Sequence, residues 1–226
     1  MKNASNLFTP AEKEKINQAV ASAEKLTSGE IVPVVATASG RYDRAEDMGG
    51  FLLALAALIA SWVLGQRIVP VGGDWAQGLR LTLSLRWLLL ILVAGFMVGV
   101  ALTSRVGWLR RLLTPDTEMR QEVERTAWHA FGSFRVRRTA AGTGILLYVS
   151  LFERMVCVLG DDAIAARLEQ KDWNEVRDMI VQGLRSGRGA DAMSEAIARC
   201  GELLGRNFPY RAGDVNEIGD ELRIMN

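Results

Sequence analysis

Two stretches of the chain carry no charged residue at all, the nineteen residues 48–66 and the eighteen residues 87–104. As helices each is roughly 27–28 Å long, close to the ~30 Å hydrocarbon core of a bilayer. Both are apolar on every face and leave no polar stripe for water. Trp62, Trp75 and Trp87 cluster around the connecting loop and Trp108 lies beyond the other end, the pattern of aromatic belts at membrane interfaces. The expectation is a pair of membrane spans forming a hairpin. The first starts after 47 residues that already hold a helix and a strand, too far in for a cleaved leader.

Outside the spans the pattern changes. Thr9-Pro10-Ala11-Glu12 opens a helix, with Thr9 as cap, Pro10 in the first turn and Glu12 completing a capping box. Ile16, Ala19, Val20 and Ala23 recur at helical spacing until Ser28-Gly29. Residues 30–37 then read as a buried strand. Its Pro33 lacks a ladder donor, which requires an edge or an unbonded position there. After the spans, Thr114-Pro115 opens a second helix to about Phe134. The run 144–151 predicts a central strand buried on both faces, and 155–159 an antiparallel partner. Three helices follow: a short one near Asp162, one from Asp172 with Glu175 as capping pair, and one from about Asp191 with Met193, Ile197, Cys200 and Leu204 on one stripe.

The order predicts a single α/β sandwich, a mixed sheet of three or four strands flanked by helices, interrupted by a transmembrane helical hairpin. Residues 1–47 and 105–208 supply its two parts, 48–104 the hairpin, and 209–226 a polar, irregular tail. Two spans return the chain to its starting side. Arg41, Arg44, Arg105, Arg110 and Arg111 on the flanks outnumber Arg67, Arg80 and Arg86 in the connecting loop, which favours a cytoplasmic domain on a cell (inner) membrane.

Composition narrows the function classes. The 226 residues include 27 basic and 26 acidic side chains, a net charge of +1 that gives no electrostatic footprint for nucleic acid. Two cysteines, 43 residues apart, exclude a disulfide framework. Neither span holds an ionisable residue to mark a transport path. Arg105, Arg110 and Arg111, interleaved with Trp108, Leu109 and Leu112, read as an interfacial segment against lipid headgroups.

Three groups of residues carry a resemblance: Ser28-Gly29-Glu30-Ile31-Val32; the strand from Thr143-Gly144 to Ser150 followed by Arg154 to Ile164; and a helix from Trp173 leading to Arg188-Gly189. Over roughly residues 7–40 and 115–208 the chain resembles the TPM domain family, within it the bacterial membrane proteins whose domain is split by a two-helix insertion. The resemblance implies a compact α/β sandwich on a membrane. It also implies either an accessory role, as in relatives that serve photosystem repair or receptor assembly, or the weak acid phosphatase activity and bound calcium of plant thylakoid relatives. Many members carry an acidic or amide residue before the glycine of the central strand, where this chain has Thr143.

The residues offer a thin catalytic set. Asp161 and Asp162 follow a strand and precede a helix, with Asp162 expected to cap that helix and Asp161 to be solvated. Glu30 opens the first strand and joins them if the strands pair as proposed. Asp161, Asp162 and Glu30 are thus the candidate ligands for Ca2+ or Mg2+. His129, the lone histidine, has no carboxylate at i±3 or i±4. Ser150 lacks the turn of a nucleophile elbow, and Ser186-Gly187-Arg188-Gly189 lacks a P-loop lysine. The leading expectation is a non-enzymatic accessory or assembly module working with the bilayer and a membrane-protein partner. The alternative is a weak divalent-metal-dependent acid phosphatase.

Overall fold

The computed structural model describes residues 3–70, 77–81, 84–139, 142–210 and 216–226, and Trp75 lies outside them. The described residues gather into two compact units, one formed by 1–40 and 116–226, the other by 41–115.

The first unit is mixed α/β. Helix α1 (Pro10–Glu24) begins at the expected capping box, the Glu12 N–H donating to Thr9 Oγ1 at 3.3 Å and the Thr9 N–H to Glu12 Oε2 at 2.8 Å. Strand β1 (Glu30–Ala36) pairs in parallel with β4 (Gly144–Ser150), so the sheet joins chain from before the apolar helices to chain from after them. β5 (Met155–Gly160) returns antiparallel on the far side of β4. Both β1 and β4 are buried along their whole length, as their unbroken apolar runs require.

Each face of the sheet has its own core. Ile31, Val35, Ile145, Leu147 and Val149 pack against α1, α7 (Gln170–Arg185) and α8 (Gly189–Asn207). Val32, Val34, Leu146 and Tyr148 pack under Val123, Ala127 and Phe131 of α5 (Asp116–Ser133). The strand period of two sends alternate residues to opposite layers, giving helix, sheet and helix.

Three expectations about this unit are corrected. Residues 216–226 do not trail as a tail: β6 (Arg223–Met225) joins the sheet in parallel beside Val34–Ala36, and Ile218 is buried. The cause is the open edge of β1, whose unpaired backbone groups need partners. The short helix α6 (Asp162–Ala165) is capped by Asp161, not Asp162; Asp161 Oδ1 accepts the Asp162 N–H at 2.9 Å. Helix α7 starts two residues before Asp172, because Glu169 and Asp172 make the reciprocal cap. Met193, Ile197, Cys200 and Leu204 do line the buried side of α8.

The second unit holds α2 (Asp43–Gly65), α3 (Leu85–Arg105) and α4 (Gly107–Leu113). Among the described residues, two helices, α2 and α3, are long and apolar enough to cross a membrane. They pack closely through small residues: a Cβ on Gly99 would lie 2.6 Å from the Gly49 carbonyl oxygen and 2.7 Å from Gly50 Cα. Away from that seam, Leu55, Ile59, Trp62, Leu90, Val93 and Met97 are exposed, an apolar surface along the sides of both helices. The connection expected as a loop contains an antiparallel pair, β2 (Gln66–Pro70) with β3 (Gln77–Leu81). The segment expected at the interface is helical in α4, where Trp108 and Leu112, one turn apart, are both exposed.

Candidate functional site

Polar chemistry in the α/β unit collects at the two ends of the β1–β4 pair. At the starting end, Glu30 sits beside Gly144, its N–H donating to the Thr143 carbonyl at 3.2 Å. Alternation along the strands sends Glu30 and Asp161 to the same face of the sheet. Gly144 lies in the row between their strands, and Val136 covers it so tightly that a Cβ there would lie 2.3 Å from the Val136 carbonyl oxygen. That contact is why the position takes glycine. Asp161 is buried and committed to capping α6, whereas Asp162 is solvent-facing, its carboxylate 3.7 Å from Arg137. Thr143 spends its hydroxyl on the Ser28 carbonyl at 2.9 Å.

Glu30, Asp161 and Asp162 are therefore not drawn into one ligand set. Among the described residues no group of three or more His, Cys, Asp and Glu is placed to hold a metal ion. Calcium or magnesium does not fit these three side chains as they stand, because one is a helix cap and one projects into solvent.

Glu30 instead meets the returning C-terminal segment. A pocket of about 260 Å³ opens there, lined by Glu24, Lys25, Thr27, Glu30, Tyr210 and Asp220 among others. Glu24 Oε1 accepts the Ile31 N–H at 3.0 Å, and its Oε2 lies 3.4 Å from Asn216 Nδ2. Glu30 Oε1 accepts the Glu217 N–H at 3.0 Å, while its Oε2 is buried with no hydrogen-bond partner among the described residues. Burial pushes the Glu24 carboxyl up to about 8, with the charges of Glu30 and Asp220 adding to the push and the Ile31 N–H opposing it. Burial also raises Glu30, against the pull of the Glu217 and Ile218 N–H groups.

At the far end the arrangement is the opposite. Glu153, in the turn between β4 and β5, is fully buried and accepts the Ser39 N–H at 2.8 Å and the Ser150 hydroxyl. Ser39 Oγ lies 2.9 Å from both the Tyr148 hydroxyl and Ser150 Oγ, and Thr126 Oγ1 donates to the Ser39 carbonyl at 3.0 Å. In the sequence Phe152-Glu153-Arg154 reads as a plain turn. Its one signal is a carboxylate three residues after a serine at the end of a fully apolar strand. Arg154 adopts the left-handed region at φ 56°, which turns the chain so that Glu153 points inward.

The remaining candidates stand apart from both clusters. His129 is exposed on α5. Ser150 belongs to the buried network just described. Gly187, at φ 77°, follows the Ser186 C-cap of α7, the left-handed position that glycine suits. Burial pushes the Cys157 thiol up to about 11 and Cys200 to about 12, away from thiolate chemistry at neutral pH.

No family model and no curated protein matches the chain. Among solved structures, its fold is similar to the NMR structure of the BA42 protein from the psychrophilic bacterium Bizionia argentinensis, with a TM-score of 0.55. The two share 16% identity over 96% of this chain and 94% of that one. At that identity the likeness speaks for the α/β fold alone.

Proposed function

We propose that this protein is an integral membrane protein whose TPM-like α/β domain acts as a non-enzymatic accessory or assembly module for a membrane complex. The observation that carries the reading is the state of the β1–β4 C-terminal end. In parallel α/β sheets that end is the usual place for a ligand crevice. Here Ser39, Tyr148, Ser150 and Glu153 fill it and satisfy one another. The domain offers its surface rather than a catalytic crevice there. The exposed sides of α2 and α3 support anchoring in the bilayer, with the arginine asymmetry favouring a cytoplasmic domain on the inner membrane.

Two measurements test this. Gentle solubilisation of native membranes should recover the chain with a stoichiometric membrane-protein partner, and repeated recovery alone would count against the reading. Incubation with a generic phosphate ester and calcium or magnesium should give no turnover. Turnover abolished by both Asp161→Asn and Asp162→Asn would replace it with the phosphatase alternative.

A further inference from the structure

The pocket between the end of α1, the start of β1 and the segment 216–222 is unbalanced in charge. Among the described residues, Glu24, Glu30 and Asp220 line it against one basic residue, Lys25. None of the ion pairs among the described residues involves any of these four. Burying carboxylates without a counter-charge is costly, and native structures pair such groups or bind a cation to them. A second observation points the same way: Glu30 is only 8% exposed, and its Oε2 has no donor among the described residues.

We propose that this pocket binds a small primary ammonium cation, its N–H groups donating to the Glu24 and Glu30 carboxylates. The shape favours this chemistry over a bare metal ion. At about 260 Å³ the pocket far exceeds the ~30 Å³ share of one water. The carboxylates are also not grouped for direct metal ligation. An ammonium reaches its acceptors at ordinary hydrogen-bond distance and brings an alkyl chain to occupy the rest of the space. Ala21 and the ring of Tyr210 provide walls for that chain. The ammonium can belong to a free amine or to a lysine side chain of a partner. The inference does not depend on the accessory role proposed above.

Calorimetric titration of the full-length, detergent-solubilised chain tests it, with n-butylamine in one arm and Nα-acetyl-lysine methylamide in the other. One-to-one saturable binding of n-butylamine is expected, weakened at least tenfold in Glu24→Gln and in Glu30→Gln and unchanged in Asp162→Asn. Saturation by the lysine derivative alone supports the same ammonium chemistry and assigns its source to a partner chain. Side-chain carboxyl 13C shifts of Glu24 and Glu30 in the unmutated protein read the same contact without relying on a variant's folding, and both should move on titration. Absence of saturation with either amine up to about 10 mM, past the millimolar range of weak specific binding, overturns the proposal. So does binding indifferent to both glutamine variants, or saturation by calcium chloride where neither amine binds.

Discussion

Glu153 and Glu30 are buried carboxylates at opposite ends of the same pair of strands, and they are treated in opposite ways. Glu153 is enclosed at the closing end of β4, where a backbone N–H and a serine hydroxyl donate to it. Glu30, at the opening end of β1, has one oxygen bonded to a backbone N–H and the other to no donor among the described residues. A buried polar network adds rigidity when each member is satisfied and is a liability when it is not. The far end therefore behaves as part of the core. The near end is the place where stability has been left incomplete, which is where a ligand can act.

The largest expected effect is at the satisfied end. Glu153→Ala strands the Ser39 N–H and removes the acceptor that organises Ser150 and Tyr148. Each orphaned buried donor costs about 1–3 kcal/mol, so a loss on the order of 3 kcal/mol is expected. Glu30→Gln should change stability by less than about 1 kcal/mol, because the group it alters is already under-bonded. Thermal unfolding in detergent micelles, followed by circular dichroism, measures both. Equal losses in the two variants would erase the contrast between the ends.

The layers of the domain were readable in the sequence because their signals are local. The capping box at Thr9 and Glu12, the apolar runs of β1 and β4 and the stripe of α8 each declare an element without reference to distant chain. The polar ends were not readable, since their meaning lies in tertiary neighbours. Glu24 looks like one more polar residue at the close of a helix, yet it reaches the Ile31 N–H of the next strand. Asp161 and Asp162 differ by one position, and which of them caps depends on where β5 releases the chain. Segment 223–225 is too short and too polar in its surroundings to show strand alternation; only the open edge of β1 makes it one. The apolar hairpin, legible from its missing charges, still hid the β2–β3 pair in its connection.

The next effect in size concerns pH. The Glu24 carboxyl sits at about 8 against an ordinary value of 4.5. A carboxyl whose folded pKa is raised contributes stability that is whole below its unfolded value and is lost as pH rises through the folded one. Raised Glu30 acts in the same direction. The melting temperature should therefore fall between pH 4.5 and about pH 8, and Glu24→Gln should flatten much of that slope while still offering an acceptor to Ile31. A wild-type profile flat across this window would show that the near end is not under charge strain.

A local effect is expected at Pro33, and it sharpens the comparison by isolating the edge on which the near end is built. Pairing with β4 uses the Glu30 N–H, so by alternation Ile31, Pro33 and Val35 direct their backbone toward the opposite edge. Glu24 occupies the Ile31 N–H there, and β6 covers the edge only from Val34 onward. Between them stands a residue with no N–H to satisfy. Proline thus closes the gap between a side-chain cap and a short strand without leaving a donor unpaired. Pro33→Ala introduces that donor where no described strand covers it and also adds chain entropy to the unfolded state, for an expected cost of about 1 kcal/mol. Amide exchange can follow the N–H that the substitution creates. Fast exchange at that position, with the Ile31 amide still protected, would locate the uncovered stretch of β1 between Glu24 and β6. Strong protection would mean that the C-terminal segment covers more of the edge than Val34–Ala36.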